Sequence, residues 1–106
     1  MPIYLSRASY THTGVQGLIK EGGSKRRDLL KSVIEKAGGK LLGFYFATAE
    51  SDVIVLAEFA DRTSALALSV VVNATGAVRL TQVELIEPEE MDAAIAKLPA
   101  YRAPGA

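Results

Sequence analysis

The chain has 106 residues, 49% of them hydrophobic, and its twelve basic side chains are balanced by twelve acidic ones, so no net field draws it to nucleic acid or an anionic membrane. It has no cysteine, which excludes disulfides, a thiolate nucleophile and cysteine-ligated zinc or iron–sulfur clusters and fits a reducing cytoplasm. The amino terminus lacks a signal-peptide pattern and no apolar run approaches the ~20 residues that span a bilayer, so we expect a soluble, cytoplasmic protein.

The chain begins with a predicted strand and a short helix. Residues 3–10 are rich in β-forming side chains, and the polar turn at 11–14 can cap a helix. Helical spacing of apolar residues follows and is interrupted by Gly22-Gly23. It involves Val15, Leu18 and Ile19.

A second helical segment follows the glycine pair. Ser24 can cap it, and its apolar residues form one stripe: Leu29, Leu30, Val33, Ile34 and Ala37. Gly38-Gly39 ends the stripe, and β-forming residues resume at Leu41. We therefore predict that one of these two glycines has a positive φ.

Two consecutive strands, at 41–47 and 53–59, are apolar on both faces. The polar connection between them, 48–52, suits a hairpin. Side chains alternate across a sheet, so a strand with one wet face should alternate apolar and polar residues. Because one chain of this length can cover only one face with helices, we expect a second copy to cover the other.

The last third predicts a helix, a strand and a final helix. Asp61 or Thr63 can cap a helix that runs to Asn73, although the β-branched residues in its second half also suit a strand. Residues 78–86 form the fourth predicted strand. Pro88 opens a last helix that Pro99 stops, and the tail after it is expected to be mobile unless it docks on a partner.

This order predicts an α+β fold, a ferredoxin-like βαββαβ antiparallel sheet with an extra carboxyl-terminal helix. We expect a single domain at 1–98 and a tail at 99–106. The partner predicted from the two-faced strands is a second copy, in a homodimer or higher homo-oligomer. RNA-recognition domains share the topology, but their stacking aromatics have no counterpart in the aliphatic third strand, so no nucleic-acid partner is expected.

Four blocks, PIYLS at 2–6, YTHTG at 10–14, AGGKLLGFY at 37–45 and DVIV at 52–55, together resemble the GYD domain family. The resemblance extends over most of the chain. It implies a dimeric α+β barrel, an architecture shared by cofactor-less monooxygenases, isomerases, haem enzymes and ligand-sensing modules, and thus no single activity. The family's Gly-Tyr-Asp triplet is replaced here by Glu50-Ser51-Asp52, which keeps only the acid.

His12 and Asp52 are the candidate catalytic residues. His12 is the only histidine and follows the first strand, near a sheet end where barrel pockets open, although a polar turn around a histidine also suits a plain cap. Asp52 begins the third strand, where a carboxylate can act as a base or simply bond backbone groups. A single histidine without cysteine cannot close a zinc site, and a haem iron held by His12 has no second marker in the sequence, so no metal or other cofactor is expected.

Tyr4, Arg7 and Tyr45 are the candidate ligand-binding residues. Like Tyr10, they bring hydrogen-bonding groups to otherwise apolar strands, and pockets for small apolar ligands use few polar groups, although the tyrosines also suit core packing with one satisfied hydroxyl. Arg7 can hold a ligand anion or form an ion pair, for which Glu58, Glu84 and Asp52 are the candidates. Because Tyr4 and Arg7 differ in parity, they must point to opposite faces.

Two functions stay open. One is a small-molecule-binding protein that acts as a cofactor-less monooxygenase or isomerase on a small apolar ring compound, with the pocket between sheet and helices or between sheets. The other is a non-catalytic ligand sensor or assembly subunit. Only the catalytic alternative requires His12, Arg7, Asp52 and a tyrosine to converge on one cavity.

Overall fold

The computed structural model describes residues 1–48 and 52–106. The eight elements of these residues follow the order βααββαβα. They are β1 (Ile3–Tyr10), α1 (His12–Glu21), α2 (Gly23–Lys36), β2 (Lys40–Phe46), β3 (Val53–Glu58), α3 (Arg62–Ala74), β4 (Val78–Leu85) and α4 (Pro88–Ile95). No helix within these residues is long and apolar enough to cross a membrane.

The strands form one four-stranded antiparallel sheet in the order β2–β3–β1–β4. This confirms the predicted α+β class and antiparallel sheet. The strand bounds agree with the sequence-based ones to within one residue, because runs of β-forming residues end at turn residues. The predicted hairpin connection and the Glu50-Ser51 part of the altered triplet lie outside the described residues.

The segment between β1 and β2 contains two helices, as the two predicted helical segments indicate, although the order βαββαβ counts them as one. Gly22 has a φ of 86° and ends α1, and the same residue is the N-cap of α2. The expected cap at Ser24 is therefore wrong, since the helix already begins at Gly23 and its N-cap makes no side-chain hydrogen bond. A left-handed conformation at a glycine costs little, which explains why the chain breaks here.

The sheet buries one face against the helices. In β3 the buried residues are Val53, Val55 and Ala57, while Ile54 and Leu56 on the opposite face are half-buried. The core is completed from the helical layer by Ile34 of α2 and by Ala65 and Leu68 of α3. We call the opposite surface, centred on Ile54 and Leu56, the open face of the sheet. Tyr45 and Val83, which lie on it, are 65% and 53% exposed.

Apart from the cap at Ser24, the helix ends follow the predicted local signals, except at the end of the last helix. Asp61 caps α3 by accepting a hydrogen bond from the Ser64 amide, and Gly38 takes the predicted positive φ, 83°. The last helix ends at Ile95, before the predicted stop at Pro99. Beyond it, the amides of Lys97 and Leu98 bond three residues back instead of four, as in a tightened turn.

Candidate ligand-binding site

A cleft opens between α1 and α2 on one side and the turn from α3 to β4 on the other. Its volume is about 240 Å³, and its lining includes Tyr10, Thr13, Gly17, Arg26, Thr75 and Val78. A narrower space of about 50 Å³ lies between the helices and the sheet and shares several of these residues. The inner wall of that space is apolar and includes Ala8, Val55 and Leu80. The two spaces together resemble a ligand pocket, apolar inside with a few polar groups.

The first turn of α1 fixes one wall of the cleft. The Thr11 amide donates to the Ala77 carbonyl over 3.0 Å, and the Thr11 hydroxyl donates to the Gly76 carbonyl over 2.9 Å. The same hydroxyl caps the helix by accepting from the Gly14 amide. A Cβ at Gly14 would overlap the Ala77 carbonyl oxygen, so only glycine allows α1 to approach the turn this closely.

Gly17 lies in the same helix but has no such steric role. A Cβ at Gly17 would meet nothing within 4 Å. A glycine inside a helix costs about 1 kcal/mol relative to alanine, and packing within the described residues does not require it here. The position lines the cleft, so the missing side chain leaves the cavity open.

Arg26 brings a positive charge to the cleft. Its guanidinium faces the Glu21 carboxylate across the α1–α2 break at 3.6 Å, and the two side chains are 31% and 46% exposed. Arg26 lies four and eight residues before Leu30 and Ile34, so it shares the helix face that packs toward the sheet. A partly exposed pair at this distance contributes little to stability, which leaves the guanidinium available to another anion.

Asp52 is bound to the backbone of β1. Its carboxylate accepts a 2.7 Å hydrogen bond from the Tyr10 amide, and its own amide donates to the Ala8 carbonyl. These are the bonds expected from the backbone-bonding alternative for this aspartate. By holding the end of β1, Asp52 also positions Tyr10 at the cleft.

His12 is the first residue of α1 and is exposed. It lies between Thr11, which caps the helix, and Thr13, which lines the cleft. Its own side chain does not line either space of the cleft. The predicted catalytic roles of His12 and Asp52 stay predictions.

Tyr4 is buried under the helices, where its ring meets Phe59 edge to face at 5.7 Å. Its hydroxyl donates to the Glu84 carboxylate over 3.1 Å, and the Arg62 guanidinium donates to the same oxygen. The hydrogen bond with Glu84 raises the pKa of Arg62. This is the arrangement expected of a core tyrosine with one satisfied hydroxyl.

Arg7 and Tyr45 lie on the open face. Arg7 is exposed in a shallow depression of about 280 Å³ beside Leu5 and Val83. Among the described residues it forms none of the ion pairs considered for it, and Glu84 pairs with Arg62 instead. As expected from strand parity, Tyr4 and Arg7 point to opposite faces. The structure thus divides the five predicted site residues between different parts of the fold, and the cleft is lined by none of them.

Sequence reasoning therefore did not place the site at the cleft, although two signals were available. Gly17 interrupts an otherwise helical apolar pattern without marking a helix end. Arg26 belongs to a basic cluster at the start of a helix, and it lies four residues before Leu30, at the same spacing that separates Leu30 from Ile34. In the described part of the chain, no group of three or more His, Asp and Glu is placed to bind a metal ion.

A protein-family model described as the GYD domain matches residues 4–95, from β1 through α4. A search of the curated proteins and a search of the solved structures each gave no match.

Proposed function

Because the chain belongs to the GYD domain family, we propose that it is a small-molecule-binding protein that works as a homodimer. The cleft beside Gly17 binds the ligand, and the open face of the sheet forms the dimer. The observation that carries the binding role is the empty space at Gly17, next to the Arg26 guanidinium in a cavity with an apolar inner wall.

The cavity volume limits the size of the ligand. About 240 Å³ with a 50 Å³ extension is near the lower end of the ~300–1,000 Å³ found for drug-sized ligands. It exceeds the ~150 Å³ of a cavity that holds benzene. A single ring with one or two substituents therefore fits best.

The lining suggests the chemistry of the ligand. The planar Arg26 guanidinium can bind a carboxylate through two parallel hydrogen bonds, and its pairing with Glu21 is long enough to be exchanged at little cost. The apolar residues behind it favour the ring. The proposed ligand class is a small aromatic or alicyclic carboxylate, or a ring with a similar anionic oxygen.

Binding is favoured over catalysis because His12 and Asp52, the predicted proton-transfer residues, do not line the cleft, and Glu21, a carboxylate that does line it, faces Arg26. His12 is exposed on the first turn of α1, and Asp52 is hydrogen-bonded to the backbone of β1. A general base must be within hydrogen-bond reach of the proton that it moves.

The binding role is tested with benzoate as the charged probe and benzyl alcohol as its neutral counterpart. Gly17→Leu fills the cleft, and Gln16→Leu is the matched control, because Gln16 is exposed on the same helix and does not line the cavity. By NMR titration we expect Gly17→Leu to lose benzoate binding by at least about tenfold, or about 1.4 kcal/mol, and Gln16→Leu to bind like the wild type. Arg26→Gln should weaken benzoate more than benzyl alcohol. Equal benzoate affinity of Gly17→Leu and the wild type would refute the site.

The dimer is supported by the open face, whose apolar side chains have no helix of the described residues against them. A stable interface there should bury about 1,600 Å² in total. Neighbouring residues of β3 point to opposite faces of the sheet and give matched variants. Leu56→Asp places a charge on the open face, and Val55→Asp places one in the buried core. By sedimentation velocity at micromolar concentration we expect a wild-type dimer and a folded Leu56→Asp monomer, while Val55→Asp should lose several kcal/mol of stability. A monomeric wild type would contradict the dimer.

A further inference from the structure

The carboxyl-terminal segment leaves the body of the protein. We call residues 86–101 the arm. Glu87 is extended, with φ −75° and ψ 153°, and the following Pro88 favours that conformation. The radius of gyration is 17.2 Å, against about 13 Å for a compact chain of this size, and the longest dimension is 57 Å. The arm is therefore directed away from the sheet of its own chain.

The arm carries an apolar stripe without a partner in the described chain. Met91, Ile95 and Leu98 follow helical spacing and are 50%, 55% and 72% exposed. Tyr101 beyond them is 82% exposed. Isolated helices shorter than ~12–15 residues are marginal in water, and α4 has eight. The helix needs a surface that covers this stripe.

An apolar groove between α2 and α3 has the complementary chemistry. Its volume is about 380 Å³, and its lining includes Val33, Ala37, Ala67 and Val71, with Ser64 as a polar member. Val33 and Val71 are 40% and 58% exposed. Leu29, half exposed one turn before Val33, extends the apolar surface along α2.

The charges of the two surfaces are also complementary. The first turns of the arm carry four acidic side chains, Glu87, Glu89, Glu90 and Asp92. Helix α2 carries five basic residues and two acidic ones, so it is positive overall. The basic ones are Lys25, Arg26, Arg27, Lys31 and Lys36. Complementary potentials steer association and select the partner.

We propose that the arm of one copy docks into the α2–α3 groove of a second copy. The extended Glu87–Pro88 connection directs the arm away from its own chain, and a second copy presents the same groove and the same basic helix. In a symmetric pair each copy gives an arm and receives one, so that both surfaces are buried. This interaction does not depend on ligand binding in the cleft.

The absence of cysteine allows a direct test. One copy carries Ile95→Cys, and a second copy, made larger by a tag, carries Val33→Cys. After mild oxidation of the mixture, non-reducing electrophoresis should show the mixed disulfide dimer. The matched control is Val15→Cys, because Val15 is 39% exposed on α1, outside the groove. The control should give at least about fivefold less mixed dimer than Val33→Cys. Adding Glu90→Lys to the arm should lower the yield of mixed dimer with Val33→Cys.

Three results would overturn the proposal. Equal mixed-dimer yields with Val33→Cys and Val15→Cys would show that contact is random. No mixed dimer with Val33→Cys would show that the arm does not reach the groove. An internal disulfide in a single chain that carries both Ile95→Cys and Val33→Cys, at a yield independent of protein concentration, would show that the arm folds onto its own chain.

Discussion

The same substitution at two glycines of α1 should have opposite effects on stability. Replacing glycine by alanine inside a helix gains about 1 kcal/mol from propensity alone. At Gly17 nothing lies within 4 Å of the new Cβ, so Gly17→Ala should raise the free energy of unfolding by about 0.5–1 kcal/mol.

At Gly14 the Cβ would overlap the Ala77 carbonyl oxygen, and the backbone on both sides must move. Overpacking costs about 1–3 kcal/mol, and separation of the two segments weakens the Thr11–Ala77 hydrogen bond, worth about 1 kcal/mol. After the propensity gain, Gly14→Ala should lose about 1–3 kcal/mol.

Urea denaturation followed by far-UV circular dichroism measures both variants on one scale. The melting temperature should rise for Gly17→Ala and fall for Gly14→Ala, by about 4–8 °C for each kcal/mol in a domain near this size. If Gly14→Ala were as stable as the wild type, the close approach of α1 to the α3–β4 turn would be wrong, and with it the geometry of the cleft.

Three further outcomes concern the caps and the sheet edge. Gly38→Ala should lose about 1 kcal/mol or more in urea denaturation, because Gly38 has a φ of 83°; an unchanged midpoint would place the end of α2 elsewhere. The hydrogen bond from the Ser64 amide lowers the pKa of Asp61. Asp61 therefore contributes stability above its unfolded pKa of about 3.9, and this contribution is lost as the pH falls through the lower folded value. Asp61→Asn keeps a capping side chain but should lose less stability at acid pH in pH-dependent melting, and the same acid loss in variant and wild type would refute this role. Asn73 bonds both the amide and the carbonyl of Leu80 at the edge of the sheet, so Asn73→Ala should lose about 1–3 kcal/mol and speed hydrogen exchange of the Leu80 amide, whereas unchanged exchange would contradict this role.

Much of the fold could be predicted because its signals are local. Successive side chains of a strand point to opposite faces, so Val53 and Val55 had to share a face, and the structure buries both. Gly38 adopts positive φ because a helix stripe ends beside it and a strand begins soon after. The break at Gly22 was also visible as a glycine pair, but sequence alone did not show which residue would cap the second helix.

The position of the cleft could not be predicted, because it is formed by three segments that are distant in the sequence. Thr13, Arg26 and Thr75 come from α1, α2 and the α3–β4 turn, and nothing in the sequence relates the separation of these segments along the chain to their distance in space. The predicted polar residues were instead chosen one strand at a time. Parity then divided them between the two faces of the sheet, which is why Tyr4 and Arg7 could never share a pocket within one chain.

The last helix shows the limit of local signals most clearly. Pro88 and the acids after it predict where α4 begins, and the structure agrees. Whether such a helix packs on its own chain depends on the residue before the proline, since Glu87 sets the direction of everything that follows. Its extended conformation leaves Met91 and Ile95 exposed. The exposed stripe of α4 is therefore the strongest physical reason to expect a contact beyond the sheet.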